Sequence, residues 1–452
     1  MKYLLFIFLF FHSLSLKGQV TFERTYGDTG IDNGLGIIQT FEGGFLITAI
    51  KGDFSNERLY LIRTNILGDT LWTKAYDWDI IVYAKGIQTF DSGFVFTGVI
   101  GSKVFLYKIN SIGDSLWFQQ FIPPSLLWIG SSLVEDRIDH SFFIVGQMGD
   151  TNNSICCHPV TMRTDSLGNE IWTHVYSYSG RAYSIVQSPD NNFVISYSQI
   201  GGPPIPYLKK VNNNDSLIWN KTFPFYCECV HHPTIDGGYI ISGLDQNTYK
   251  SVFVKTDSFG NIEWIKNNLG WDHFALNGIQ TLDSTYISVG STRPSPSDLI
   301  ILKMDAYGDS SWVKYFGGTN DDAGIEIINC SDGGFAIVGY TKSFGIGNQD
   351  VYFIKTNSLG IVTSVRVLPV EDKLIVNIYP NPWNETITLR IKGSQENNFI
   401  LNIYNSFGEL VRKKVIHENI IMLNRESLPA GIYFYHLISE QRNLFQGEIL
   451  ID

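Results

Sequence analysis

Short apolar runs alternating with polar residues recur along most of the chain, each closed by glycine, asparagine or aspartate. One stretch from Gly324 shows the unit: "GIEIIN", a turn "CSDGG", "FAIVGY", a loop "TKSFGIGNQ", "DVYFIKT" and a turn "NSLG". Period-two alternation between turn formers predicts strands, and the acidic-glycine turn predicts a tight hairpin between the first two. The same order returns in "LGIIQTFEGGFLITA", "KGIQTFDSGFVFTG", "HHPTIDGGYIISG" and "NGIQTLDSTYISVG". A second phrase ("TNILGDTLW", "NSIGDSLW", "TDSLGNEIW", "NNNDSLIW", "TDSFGNIEW", "DAYGDSSW") leads into a fourth strand bearing a repeated tryptophan. Trp72, Trp117, Trp172, Trp219, Trp264 and Trp312 stand 45 to 55 residues apart, a period that predicts four-stranded propeller blades.

First-to-third strand sets begin near Leu35, Lys85, Gly130, Ala182, Val230, Leu276 and Gly324, seven in all, against six Trp-bearing fourth strands. The seventh turn phrase, "TNSLGIVTSV", reaches no tryptophan. Upstream, "TFERTYGD" aligns with "LWTKAYDW", placing Phe22 at the Trp position and Tyr26 under Tyr76. The expected fold is therefore all-β: residues 20–360 form a seven-bladed β-propeller closed by the N-terminal strand, Val20 to Tyr26 pairing with Asp350 to Thr356. The repeated aromatic is expected to pack between neighbouring blades.

Aromatic residues at 14%, charged residues at only 17% and 42 glycines agree with strands and tight turns. The opening "MKYLLFIFLFFHSLSLKGQ" has a lysine, an apolar run from Tyr3 to Phe11 and a polar stretch to Gly18, and reads as a signal peptide over residues 1–18. No other apolar run approaches about 20 residues, so no transmembrane helix is expected. The formal charge is −11, or −13 once Lys2 and Lys17 leave with the signal, which argues against nucleic acid as a partner.

After Val365 the repeat stops. Residues 361–370 read as a linker, and five alternating runs from Glu371 onward predict a small seven-strand, Ig-like β-sandwich over residues 371–452. Here "IYPNPWNETITLRI", "NIYNSFGELV" and "LPAGIYFYHLI" together resemble the C-terminal sorting domain of proteins exported by the bacterial type IX secretion system. The resemblance implies recognition by an outer-membrane translocon, export to the cell surface or beyond, and a sorting role for Pro380, Asn381, Pro382, Gly408, Pro429 and Gly431. By their chemistry these residues shape turns and extended segments. The repeats from Tyr315 to Gly360 likewise resemble secreted bacterial β-propeller repeats. The turn phrase is similar to the Asp-box of sialidase-like propellers, but its extra residue before the glycine argues against carrying over a sialidase mechanism.

Candidate chemistry concentrates in the connectors between blades, since loops on a rigid scaffold carry function. Trp78, Trp128 and Trp271 fall there, joined by Tyr83, Tyr178, Phe225, Tyr226 and Phe274. Flat rings suit a glycan, polysaccharide or peptide, so Trp78, Trp128, Tyr178, Tyr226 and Trp271 are the candidate ligand residues; the alternative is that the rings plug the channel or cap blade ends. Asp28, Asp32, Asp77, Asp79, Asp272, Asp321 and Asp322 could hold calcium or cap turns. Cys156, Cys157 and His158, Cys227 and Cys229 with His231 and His232, and Cys330 offer metal-ligand chemistry without a standard zinc spacing. Export favours disulfides or unpaired thiols there. No nucleophile elbow occurs and no cofactor is expected. The expected function is a non-enzymatic exported propeller that binds a glycan or protein through its connector face. A carbohydrate-active hydrolase or lyase on that face, and a structural or adhesion scaffold, remain as alternatives.

Overall fold

A computed structural model describes residues 19–52, 57–76, 85–101, 103–121, 127–150, 153–199, 205–225, 227–245, 250–267, 273–293, 295–363, 375–392, 399–405, 409–418, 420–439 and 443–451. The proposed signal peptide, Gly408 and most of the linker lie outside these residues. Every regular element described is a strand.

Residues 22–356 form seven four-stranded antiparallel sheets. Sheets I to VI occupy residues 32–76, 85–121, 127–175, 180–222, 227–267 and 273–316, each taking its strands in chain order. Sheet VII breaks the pattern, with the order Phe22–Tyr26, Asp350–Thr356, Phe335–Thr341, Asp322–Asn329. Its outer strand therefore comes from the start of the chain, with Phe22 opposite Lys355 and Tyr26 opposite Val351. Each sheet packs on the next, and sheet VII packs on sheet I.

The repeated aromatic does lie between sheets. Trp72 faces Gly113, Trp117 Gly168, Trp219 Gly260, Trp264 Gly308 and Trp312 Gly360, each glycine in the outer turn of the following sheet. Phe22 takes the corresponding place: a Cβ built on Gly68 of sheet I falls 2.6 Å from its ring. These glycines have positive φ and allow the close approach, two demands that other residues rarely meet together. Phe22 is buried and meets Phe353 edge-on with centroids 4.9 Å apart. Sheet IV has Asp215 in the left-handed position instead, and there Trp172 stacks on His174 at 4.5 Å.

Each sheet also carries a buried base at the end of its third strand. Arg63, Lys108, Arg163, Lys210, Lys255, Lys303 and Lys355 pair with Glu42, Asp91, Asp139, Asp190, Asp236, Asp283 and Asp332 of their own first hairpin turns at 2.7 to 3.3 Å. Burying a charge requires such a partner. A third series links sheets: the turn N–H groups of Phe41, Phe90, Arg137, Ile235 and Ser331 donate to Gln88, Glu135, Gln187, Gln280 and Gln39 of the neighbouring sheet at 2.6 to 3.0 Å. At the junction of sheets IV and V, Pro189 has no N–H to give and Pro233 stands where the acceptor would be.

The C-terminal region has a three-stranded sheet (Ile375–Tyr379, Thr386–Lys392, Ile420–Asn424) and a four-stranded one (Leu410–Ile416, Phe399–Tyr404, Gly431–Ser439, Asn443–Ile451). Both share a core containing Trp383, Leu389, Leu401, Ile403 and Leu437. The alternating runs joined two of these strands across residues 399–416 and missed Ile420–Asn424, whose side chains alternate weakly. The "PNPW" stretch fastens the last strand: Asn381 accepts the Leu450 N–H at 2.8 Å, and the Trp383 N–H donates to the Leu450 carbonyl at 2.6 Å.

Because Phe22 seals sheet VII against sheet I, Phe22→Ala should cost about 3–5 kcal/mol in denaturant unfolding. Deleting Val20 to Tyr26 should cost more than an equal trim elsewhere at a terminus. An unchanged unfolding midpoint in the deletion would contradict the closure.

Candidate functional site

Antiparallel order puts the connectors between sheets on the same edge as the loops between second and third strands. Trp78, Tyr83, Tyr226, Trp271, Asp77, Asp79 and Asp272 lie outside the described residues. Trp128 and Phe274 belong to the first strands of sheets III and VI, Leu127–Glu135 and His273–Gln280, not to the connectors, because strand pairing extends further out than the alternation suggests. Tyr178 is half-buried. Its ring lies 5.5 Å from Tyr176 and 5.6 Å from Tyr197, and Tyr197 stacks on Tyr207 at 4.8 Å. Phe225 is buried beside Phe223 in the core between sheets IV and V. These two rings fill space between sheets.

The cysteine-histidine stretches lie in strands, Asn153–Thr164 and Cys227–Pro233. Cys157 and Cys330 are free, and burial pushes the Cys330 thiol up to about 12. His231 is enclosed, with Nδ1 2.7 Å from Ser184 Oγ and Nε2 3.1 Å from the Val194 carbonyl. Burial pushes it down to about 3 and His232 to about 4. Among the described residues no group of three or more His, Cys, Asp or Glu could hold a metal ion.

Near the ring centre, Glu326 of sheet VII accepts the Ile37 N–H of sheet I at 2.9 Å and pairs with Lys85 of sheet II at 2.9 Å. This carboxylate is neutralised by its lysine, which suits a structural strut better than acid–base work.

A cleft of about 490 Å³ opens on the connector edge where sheets VI and VII meet, lined by Ser295, Thr319, Asn320, Asp321, Lys342 and Asn348 together with Pro296. Asp321 organises it. Its carboxylate accepts Ser295 Oγ at 2.6 Å and the Ser297 N–H at 3.0 Å, and Lys342 Nζ lies 3.2 Å away. These bonds, that from Ser295 the largest, hold the carboxyl at about 2.

Behind Asp321, Asp322 is buried. Its Oδ2 accepts the Gly318 N–H at 2.8 Å and Ser343 Oγ at 2.6 Å, while Oδ1 has no partner. A Cβ built on Gly317 would lie 2.4 Å from Asp298 Oδ1 and 2.6 Å from Asp322 Oδ2, so the two carboxyl groups are near neighbours. Burial, with the Asp322 charge adding, raises the Asp298 carboxyl above its usual range.

The junction of sheets VII and I repeats the arrangement around Gly27, whose built Cβ would lie 2.3 Å from Asp350 Oδ1 and 2.6 Å from Asp32 Oδ2. Asp32 is buried; its Oδ2 accepts the Asp28 N–H at 2.9 Å and its Oδ1 has no partner. Burial raises both Asp32 and Asp350. Asp28 itself is held low by Lys51 at 2.8 Å. Asp298 and Asp350 escaped the sequence reading, although "SDLI" and "QDVY" place an acid just ahead of or at the start of the third strand in both units.

A carboxyl held below its ordinary pKa favours the folded state above that ordinary value, and the contribution fades as pH falls toward the folded pKa. An NMR titration should therefore find the Asp321 midpoint near 2, with Ser295→Ala moving it up. A midpoint in the ordinary carboxyl range would mean the cleft is not ordered in solution.

Residues 377–451 match the family of secretion system C-terminal sorting domains. No curated protein matches the sequence. Among solved structures the chain is similar to puromycin hydrolase, with a TM-score of 0.50 and 11% identity over 79% of this chain and 58% of that one. It is also similar to the Dos1 propeller, with a TM-score of 0.45 and 12% identity over 71% and 77%. A third is PorZ, described as an essential bacterial surface component of the type-IX secretion system of Porphyromonas gingivalis; its TM-score is 0.44, with 10% identity over 94% of this chain and 60% of that chain. At such identities the likeness concerns fold alone. The tail marks the chain for export through the type IX system, to the cell surface or into the medium. Among the described residues no helix is long and apolar enough to cross a membrane.

Proposed function

We propose that this chain is an exported binding protein: a seven-bladed β-propeller over residues 20–360, closed by its N-terminal strand, that takes a glycan through its connector edge. A signal peptide over residues 1–18 starts the export. A linker at 361–370 leads to an Ig-like sandwich over 371–452, which the outer-membrane translocon reads. Pro380, Asn381, Pro382, Gly408, Pro429 and Gly431 give that sandwich its recognised surface.

The observation that carries the ligand reading is the cleft around Asp321 and Lys342. Its lining of hydroxyl, amide, carboxylate and ammonium groups matches a hydroxyl-rich ligand. Trp78, Trp128, Tyr226 and Trp271 are proposed as further ligand residues, since flat rings suit sugar faces. A polar stretch of protein could use the same groups. The binding reading rests on that cleft lining; Glu326 near the ring centre is tied to Lys85 and serves there as a structural pair. A bare scaffold would not need the polar cleft.

On a glycan array, Asp321→Ala and Lys342→Ala should each weaken binding roughly tenfold or more, the scale of a lost charged hydrogen bond, with the unfolding midpoint little changed. Equal binding by both variants and the parent would remove the cleft from the function. Removing residues 371–452 should leave the propeller inside the outer membrane, read by cell fractionation; export of the truncated chain would refute the role of the tail.

A further inference from the structure

Nearly every acid in the repeat has an answering cation or a set of donors. Each turn acid meets a buried base, Asp321 meets Lys342, and Asp28 meets Lys51. The pairs Asp298 with Asp322 and Asp350 with Asp32 differ. In the first, Asp322 is fully buried with Oδ1 unpartnered, and among the described residues only burial and the Asp322 charge act on the Asp298 carboxylate. In the second, Asp32 is fully buried with Oδ1 unpartnered, while Asp350 takes the Gly347 N–H at 2.9 Å. Two carboxylates brought this close are relieved by a cation or by a shared proton, and the buried, unpartnered Oδ1 of Asp322 and of Asp32 leaves a ligand position open in each pair.

The two pairs occupy the same structural position. In each, an aspartate opening the first strand of one sheet meets one at the third strand of the sheet before it. The amide of the former donates to the carbonyl just ahead of the latter, Asp322 to Ser297 at 2.6 Å and Asp32 to Gln349 at 2.7 Å. This is not a general feature of the repeat, because Trp128, Gly180 and His273 hold the corresponding register in sheets III, IV and VI.

We propose that each aspartate pair is a Ca²⁺ site, one clamping sheet VI to sheet VII and the other clamping sheet VII to sheet I across the closure. The donors are oxygens, which suit a hard cation and disfavour zinc or copper. Calcium rather than magnesium fits because it accepts irregular sets of carboxylates, carbonyls and waters, whereas Mg²⁺ demands a near-ideal octahedron. Asp298 is half-buried, and Asp321, the residue before the buried Asp322, lines the polar cleft. Sites of this kind in extracellular modules bind in the 10⁻⁴ to 10⁻³ M range, roughly, so the ion would be taken up after export. The clamp between sheets VII and I would add to the strand pairing and polar links that close the ring.

This site is separate from the glycan reading, and the experiment keeps them apart. The purified full chain, stripped with EGTA at pH 7.5, is titrated with CaCl₂ in a calorimeter and melted with and without the ion. Two Ca²⁺ per chain are expected, with a melting temperature higher by roughly 3 °C or more at saturation. Asp322→Asn and Asp298→Asn should each lose one equivalent, and Asp32→Asn the other. Asp321→Asn should keep both while losing the glycan. If Asp322→Asn does not fold, the half-buried Asp298→Asn carries the test. An unresponsive melting temperature with no bound Ca²⁺ would overturn the proposal, as would full stoichiometry in Asp298→Asn and Asp32→Asn. So would an Asp322→Asn protein that is more stable than the stripped parent and indifferent to Ca²⁺, which would mark the pair as sharing a proton.

Discussion

The sheets of this protein bury both faces, so a row of them has two apolar ends that water would meet. Pairing of Phe22–Tyr26 with Asp350–Thr356 removes those ends. The strand Asp350–Thr356 is buried along its whole length, and Phe353 lies between Phe22 on one side and Phe45 of sheet I on the other. Without the first strand, that apolar surface and the Phe45 face would be exposed together, at a cost of order 25 cal/mol for each Å² uncovered. Polar links across the seam, among them those from the Ser331 N–H to Gln39 and from the Ile37 N–H to Glu326, can form only once the ends have met.

Within the ring, repetition assigns one task to one position. At six of the seven junctions the outer aromatic meets the left-handed glycine of the next sheet, and the third-strand base always turns back to its own first hairpin. The base is nearly inaccessible while most of its acids are exposed. Such pairs add little net stability; what they do is fix where the hairpin turn sits, and with it the turn amide that reaches the neighbouring sheet. Sheet IV shows what happens when the pattern lapses. Asp215 replaces the glycine and gathers Lys209, Tyr176, His174 and Thr161 around its carboxylate, a polar plug where the other junctions have a ring on bare backbone.

The two edges of the ring have diverged accordingly. Hairpin turns make one edge regular, because each is tied to a base inside its own sheet. Connectors make the other edge irregular, and there the polar cleft and the paired aspartates lie. The export tail uses the same economy on a smaller scale, since its "PNPW" stretch is occupied in holding the final strand while leaving Pro380, Asn381 and Pro382 at the surface.

Period-two alternation and turn chemistry are local properties, so the order of strands and the substitution of Phe22 for a seventh tryptophan could be read without coordinates. The buried bases were legible too, at one offset in "IRT", "YKI", "MRT", "KKV", "VKT", "LKM" and "IKT", but a lysine in a strand gives no sign of facing inward unless its partner is known. Partners were decided by tertiary structure. Alternation tells which face a residue shares with its strand neighbours but not what lies across from it, and connectors have no period at all. Asp32 and Asp350 are 318 positions apart and meet only because the ring closes; His231 resembled a metal ligand until sheet packing enclosed it.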